Sequence, residues 1–283
     1  MTPITRRDLA PLALAGLAVL PSGMTQAQTP SPNPAQPAGG TAPTEVATTL
    51  APSGTLRVAI NFGNTVLAQP DPATGAPRGV SAELAAEVAR RIGRPIQFVT
   101  FDSAGKVTDA GRQGAWDLCF LAIDPVRAQG IAFTAPYVVI EGTYLVTADS
   151  PLQAVEEFDR PGTRIAVGRG SAYDLFLTRA LKQAELVRVP SSPEAIEAFR
   201  RDRLDAVAGV KQPLVEYARA NPSMRVIPGR FMVIEQAVGI PQGRESALPW
   251  LRAFVEEMKA SGFVARALAA SGQGDAAVAP AAT

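Results

Sequence analysis

Short apolar runs alternate with helical stretches from residue 54 to residue 262, and this alternation confines the chain to the α/β class. Leu56-Arg-Val-Ala-Ile60 alternates like a half-buried strand and is broken by the turn residues Asn61-Phe-Gly-Asn64. A helix follows from Ser81, with Glu83 in its first turn, Leu84, Val88 and Ile92 on one face, and Gly93 and Pro95 to stop it. Ile96–Val99 reads as the next strand, Lys106–Gln113 as a short helix ended by Gly114, and Leu118–Ile123 as an apolar strand. Val138–Val146 is extended, with Glu141-Gly142 in its middle. A second series repeats the pattern. Strand Arg164–Val167 leads to a helix ending at Leu181, and strand Glu185–Val189 leads to a helix capped by Ser192 with Pro193 at its first position. Strand Asp205–Ala208 then leads to a helix from Lys211 to Asn221. Met224–Ile227 and Ala237–Ile240 are further strands, and Ala247–Ser261 is a helix with Leu251, Phe254, Val255 and Met258 inward. The order predicts two similar halves of parallel-type sheet flanked by helices.

Composition removes whole classes of chemistry. The net charge is +1, which indicates neither nucleic acid nor an anionic membrane surface as a partner. The chain has no histidine, so His-based triads, His-ligated metals and the usual neutral-pH general base are excluded. Its single cysteine, Cys119, lies in an apolar strand pattern and reads as a buried small hydrophobe. One cysteine permits neither an intrachain disulfide nor a thiolate metal cluster. No pair of carboxylates falls at a spacing that fixes a common face in apolar sequence, and Glu256-Glu257 reads as helix surface. Neither a metal nor a cofactor is implied.

The two ends read differently. Thr5-Arg6-Arg7-Asp8-Leu9, a short apolar run to Pro21 and small residues around Thr25-Gln26-Ala27 make residues 1–27 a secretory signal peptide. The adjacent arginines fit the twin-arginine type. Residues 28–53 and 272–283 are rich in Pro, Ala, Thr, Ser and Gly and are expected to be a disordered linker and tail. About 220 residues then remain for the fold, enough for two small domains or one large one.

Two stretches are candidates for binding. In Asp117-Leu-Cys-Phe-Leu-Ala-Ile-Asp124-Pro-Val-Arg127 a strand runs into Asp-Pro, an expected helix cap, and then Arg127, the sole cation between Arg112 and Arg160. A guanidinium there suits a carboxylate or phosphate, although a solvated helix arginine satisfies the local sequence equally well. Gly168-Arg-Gly170-Ser171-Ala-Tyr173 follows a strand and opens a helix but lacks the third glycine of a dinucleotide fingerprint. It could hold a small carboxylate on helix N–H groups and the Ser171 hydroxyl, or be an ordinary capped turn. Gly105-Lys106 lacks the remainder of a phosphate loop.

Taken together, these motifs resemble the periplasmic solute-binding proteins of family 3, the polar-amino-acid receptors of ABC transporters. The resemblance runs from Gly54 to Gly262. It rests on Gly54-Thr-Leu-Arg-Val, Gly79-Val-Ser-Ala-Glu-Leu, Trp116-Asp117, Arg127 with Ile-Ala-Phe133-Thr-Ala-Pro-Tyr137, Ile165-Ala-Val-Gly-Arg-Gly170-Ser171, Arg203-Leu-Asp205-Ala and Ala237-Val-Gly-Ile240. It implies a two-lobe fold: residues 54–142 and 237–271 as lobe 1, 143–236 as lobe 2. Crossing strands near Glu141–Tyr144 and Val233–Gln236 would form the hinge. It further implies that Arg127 clamps a ligand carboxylate and that the Gly170-Ser171 turn completes the grip; Asn61 and Asn64, in the loop after the first strand, are then expected to hydrogen-bond the rest of the ligand.

Departures from the family pattern are as informative. The acidic residue that usually holds an α-ammonium falls at Val210, and aromatic positions fall near Asn64 and Ala104. An unpaired ammonium buried there would cost on the order of several kcal/mol. With Arg127, and Lys106 and Lys211 potentially nearby, the pocket should prefer a carboxylate that is not a standard amino acid, with Glu141 the remaining candidate for a negative partner. The expectation is therefore a non-enzymatic, monomeric periplasmic receptor that binds a small solute by hinge closure and presents it to an ABC permease. The alternatives are an accessory protein of a periplasmic enzyme, or a dehydratase- or transglycosylase-like enzyme on the same scaffold.

Overall fold

The computed structural model describes residues 41–283, so the expected signal peptide and the first part of the expected linker lie outside the described residues. In chain order the elements are α1 (Thr44–Leu50), β1 (Leu56–Asn61), β2 (Gln69–Pro70), β3 (Pro77–Arg78), α2 (Val80–Ile92), β4 (Ile96–Phe101), α3 (Ala104–Arg112), β5 (Leu118–Ala122) and β6 (Ile131–Thr147). There follow β7 (Arg164–Gly168), α4 (Ala172–Ala180), β8 (Glu185–Val189), α5 (Ser192–Arg201), β9 (Ala206–Val210), α6 (Lys211–Ala220), β10 (Met224–Val226), β11 (Met232–Pro241), α7 (Leu248–Ala260), α8 (Phe263–Ala270) and β12 (Ala277–Val278).

Two parallel trios sit at the ends of the sheet. In one, β1 lies between β4 and β5; in the other, β7 lies between β8 and β9. Each is wound by two helices, α2 and α3 in the first half and α4 and α5 in the second, so the two halves share one topology. The antiparallel pair β11 and β6 joins them, giving the order β4-β1-β5-β11-β6-β9-β7-β8. The two expected sheets are continuous because β6 is 17 residues long. It pairs with β11 from Ile131 to Gly142 and with β9 from Gly142 to Leu145.

The amphipathic pattern is realised as read: Leu84, Val88 and Ile92 of α2 and Leu251, Phe254, Val255 and Met258 of α7 are all buried. Cys119 is fully buried and burial pushes its thiol far up, which leaves it inert. Asp117, also fully buried, accepts from the Arg57 backbone N–H (3.1 Å), from Arg57 Nε (2.9 Å) and Nη2 (2.8 Å), and from Arg244 Nη1 (2.8 Å). It thereby ties the start of β5 to β1 and to the turn after β11.

Four expectations are corrected. The linker expected to reach Ser53 contains α1, whose Val46, Ala47 and Leu50 are buried, and Ala42 N–H donates to Arg91 O at 2.9 Å. The tail expected to be disordered from Gly272 instead pairs, as β12, with Val138 and Val139 of β6, and buries Ala276 and Ala279. The tail docks through alanines and main-chain bonds, and α1 through one short apolar face of Val46, Ala47 and Leu50, so a composition rich in small and polar residues reveals neither. Glu257 is more than surface: it accepts from Arg91 at 2.7 and 2.8 Å, tying α7 to α2. Finally, Ser191 rather than Ser192 caps α5, accepting from Glu194 N–H, while Ser192 accepts from the Tyr173 hydroxyl.

Candidate functional site

In a doubly wound sheet the ligand crevice lies at the carboxyl ends of the strands, where the winding direction switches. Both trios have such a switch, and their carboxyl ends meet. Asn61 ends β1 and Gly63 follows it, Ala122 ends β5, Ser171 and Tyr173 follow β7, and Val210 ends β9; all of these line one cavity of about 40 Å³. Arg127, Asn64, Ser192 and the buried Gln236 of β11 complete it.

Arg127 reaches this point through a tight turn. The Asp124 carboxylate accepts from Val126 N–H at 2.8 Å and Ala128 N–H donates to Asp124 O at 2.9 Å, so the chain makes a 3-10 turn at Arg127–Gln129 instead of the expected helix. The side chain is 2 % exposed. Nη1 donates to Ala122 O at 2.9 Å in the first half, and Nη2 donates to Gly170 O at 2.8 Å in the second. Its Nε has no hydrogen-bond partner. Burial lowers its pKa to about 10, with the Asp124 carboxylate opposing that shift, so it is a cation at neutral pH. The Asp124 carboxylate is engaged by Arg179 of α4 at 2.8 Å.

A seam between the halves closes the cavity. Besides the Arg127–Gly170 and Arg179–Asp124 contacts, backbone meets backbone: a Cβ on Gly105 would lie 2.8 Å from Arg169 O, and one on Gly170 would lie 2.7 Å from Gly105 Cα. Gly105 stands in the first turn of α3 at an ordinary backbone angle, so a side chain there strains nothing except the seam. Gly105→Val is therefore expected to hold the halves apart, increasing the radius of gyration in X-ray scattering and weakening any cleft ligand at least tenfold, or about 1.4 kcal/mol. A variant that scatters like the wild type would show that the close approach does not set the closed form.

The cavity is polar on one side and apolar on the other. Asn61 Oδ1 accepts from Gly63 N–H (2.9 Å) and Ser171 Oγ from Asp174 N–H (3.0 Å), whereas Asn64 Oδ1 is buried without a partner. A second cavity of about 130 Å³ shares Asn64, Tyr173, Ser192 and Val210 and adds Ile196, Val207 and Leu214. No carboxylate of the described residues lines either space.

The structure thus brings Arg127, Ser171, Asn61 and Asn64 together and separates the other expected residues. Gly170 touches the site through its carbonyl. Lys106 is exposed, pairs with Asp102 at 2.6 Å and borders an outer groove. Glu141 lies elsewhere, held by Lys211 (2.8 Å) and Arg230 beside a groove of about 480 Å³. The Lys211 hydrogen bond, followed by that of Arg230, keeps the Glu141 carboxyl below its usual range. Sequence reasoning missed Gln236, Tyr173 and Ser192 as lining residues. A lone glutamine in the run Val233-Ile-Glu-Gln236-Ala-Val was the available signal for the first.

Comparison with known proteins agrees with this architecture. No curated protein matches the chain. The solute receptor for L-cysteine of Neisseria gonorrhoeae superposes with a TM-score of 0.70 at 22% identity, covering 81% of this chain and 93% of the receptor. A mutant of ArgBP from T. maritima gives 0.69 at 20% identity, covering 80% and 99%. The ancestral amino acid-binding protein AncCDT-1, a precursor of cyclohexadienyl dehydratase, gives 0.67 at 22% identity, covering 79% and 97%. At such identities the likeness is one of fold. Residues 67–270, most of the chain, match the model of a single family. With two equally wound halves meeting at a cleft, the chain belongs to the bacterial extracellular solute-binding proteins, family 3, and has their two-lobe fold.

Proposed function

We propose that the chain is the exported receptor of an ABC-type importer and that its cleft holds a small carboxylate with a short apolar tail, not a standard amino acid. One observation carries this reading. Arg127 is a buried guanidinium with no carboxylate in contact, at the meeting point of four strand ends, in a cavity that no carboxylate of the described residues lines. A ligand carboxylate would supply the missing charge and would accept from the side-chain amide N–H groups of Asn64 and Gln236. An α-ammonium would find no anion beside Val210, and the apolar walls of the adjoining cavity suit a hydrocarbon tail.

The crossing of β6 and β11, where Glu141 pairs with Val233, is the natural hinge, and closure would bring Gly170 and Ser171 onto a solute already held by Arg127. A membrane permease is the partner this mechanism requires, and the twin arginines at Arg6-Arg7 would direct export to the periplasm. An enzyme on this scaffold would need an acid or base facing the cavity, and among the described residues no carboxylate lines it, which supports a binding role. The small cavity favours a second reading. At about 40 Å³ it is far below the roughly 300–1,000 Å³ of drug-sized ligand sites, which fits an accessory protein whose cleft is sealed by its own atoms.

A thermal-shift screen over carboxylates, amines and amino acids separates the two. At a hundredfold excess over Kd a bound solute adds roughly 2.7 kcal/mol, or about 5–10 °C for a domain of this size. A carboxylate giving such a shift supports the receptor; a silent screen supports the accessory reading.

A further inference from the structure

Outside the sealed cleft a groove of about 450 Å³ follows the seam, bordered by Lys106, Asp109 and Arg112 of the first half and by Arg169, Asp174 and Arg188 of the second. Arg127 lines it as well, so five cations face two carboxylates in a chain whose net charge is +1. Local pairing occupies three of the five: Lys106 with Asp102 (2.6 Å), Arg112 with Asp109 (2.9 Å) and Arg188 with Asp174 (2.8 Å).

Two cations remain. Arg169 is exposed, and its side chain makes no hydrogen bond or ion pair among the described residues. Arg127 is 2 % exposed, with Nε unpartnered and both Nη atoms on carbonyls. A buried guanidinium that touches only carbonyls, with its nearest carboxylate, Asp124, paired to Arg179, gains from an anion brought against it. The first turn of α3 adds its positive end through Ser103 and Gly105, which also line the groove.

We propose that this groove is a second anion site, which shares Arg127 with the cleft cavity, adds Arg169 at its outer edge and takes a compact oxyanion with two or more negative charges. Its ligands come from both halves of the fold, so the bound anion clamps the seam and favours the closed form. A single exposed ion pair contributes little, but several cations converging on a concave surface focus their field on a multivalent ion. Arg169, which lines the groove and not the cleft cavity, is the cation particular to this site.

Calorimetry on the full chain tests this with inorganic pyrophosphate and with citrate at constant ionic strength, the two probes separating a phosphate preference from a carboxylate one. Arg169→Glu, at an exposed position, should weaken binding of the preferred probe at least tenfold without altering the melting temperature of the free protein. Arg200→Glu, the same charge change at an exposed position outside the groove, should alter binding less than twofold. Failure of both probes to bind the wild type, or equal weakening by the two variants, would overturn the proposal. Loss of pyrophosphate and citrate binding alongside a persisting carboxylate thermal shift would leave the receptor reading intact; the reverse result would sink that reading and keep this one.

Discussion

Arg127→Ala is expected to reduce solute affinity by between about thirtyfold and several thousandfold, the equivalent of 2–5 kcal/mol for truncating one side of a desolvated charge pair. Arg127→Lys should retain part of the affinity, since the charge remains but the planar fork is lost. The effect on the free protein is smaller. Removing the side chain leaves the Ala122 and Gly170 carbonyls without their donor, but both lie at the seam and can be hydrated when the halves part. The unliganded variant should therefore melt within a few degrees of the wild type and populate a more open form in X-ray scattering. Wild-type affinity in the variant would remove Arg127 from the binding site. A fall of more than about 10 °C, several kcal/mol for a domain of this size, would make it a structural residue first.

Asp117→Ala should have the largest effect on stability. It leaves Arg57 and Arg244 without the carboxylate that joins β5, β1 and the turn after β11. Breaking a buried pair costs about 3–5 kcal/mol, and the lower end applies because the two arginine side chains are 29% and 24% exposed. At 2–4 °C per kcal/mol the melting temperature should fall by roughly 6–12 °C. The dependence on pH follows from the carboxyl's own shift. Burial alone would raise its pKa, but the hydrogen bonds from Arg57 and Arg244 outweigh it and hold the group below the usual carboxylate range. A depressed folded-state pKa gives stability that is complete above the unfolded value of about 3.9 and is lost as pH falls through the folded one. The wild type should thus approach the variant in stability under acid, and a constant gap down to pH 2 would contradict this account of Asp117.

Much of this molecule is written in local sequence, and the parts that are not share a cause. The strand and helix order was legible because each amphipathic element needs a large apolar stripe, as α2 and α7 show. Arg127 was legible because a lone cation between Arg112 and Arg160 needs a reason. The contacts of Glu141, Lys106 and Glu257 were not, since a charged side chain's partner is set by tertiary placement: Lys211 for the first, Asp102 for the second, Arg91 for the third. β12 escaped notice because its alanines dock by close approach of the backbone, and α1 because a seven-residue helix with Val46 and Leu50 as its large apolar side chains shows too short a stripe. Gly105 and Gly170 carry no chemistry of their own, and only the fold shows that their missing side chains are what lets the seam close.

The central claim is that the cleft accepts a carboxylate and rejects the α-amine that usually accompanies it in this family. Calorimetric titration of the full chain with matched pairs, butyrate against 2-aminobutyrate and 4-methylpentanoate against leucine, measures this directly because each pair differs by one amine. The account predicts that the des-amino member of a pair binds at least a hundredfold more tightly, about 2.7 kcal/mol. Tighter binding of the amino acid would show that an ammonium is accommodated beside Val210 and would contradict it.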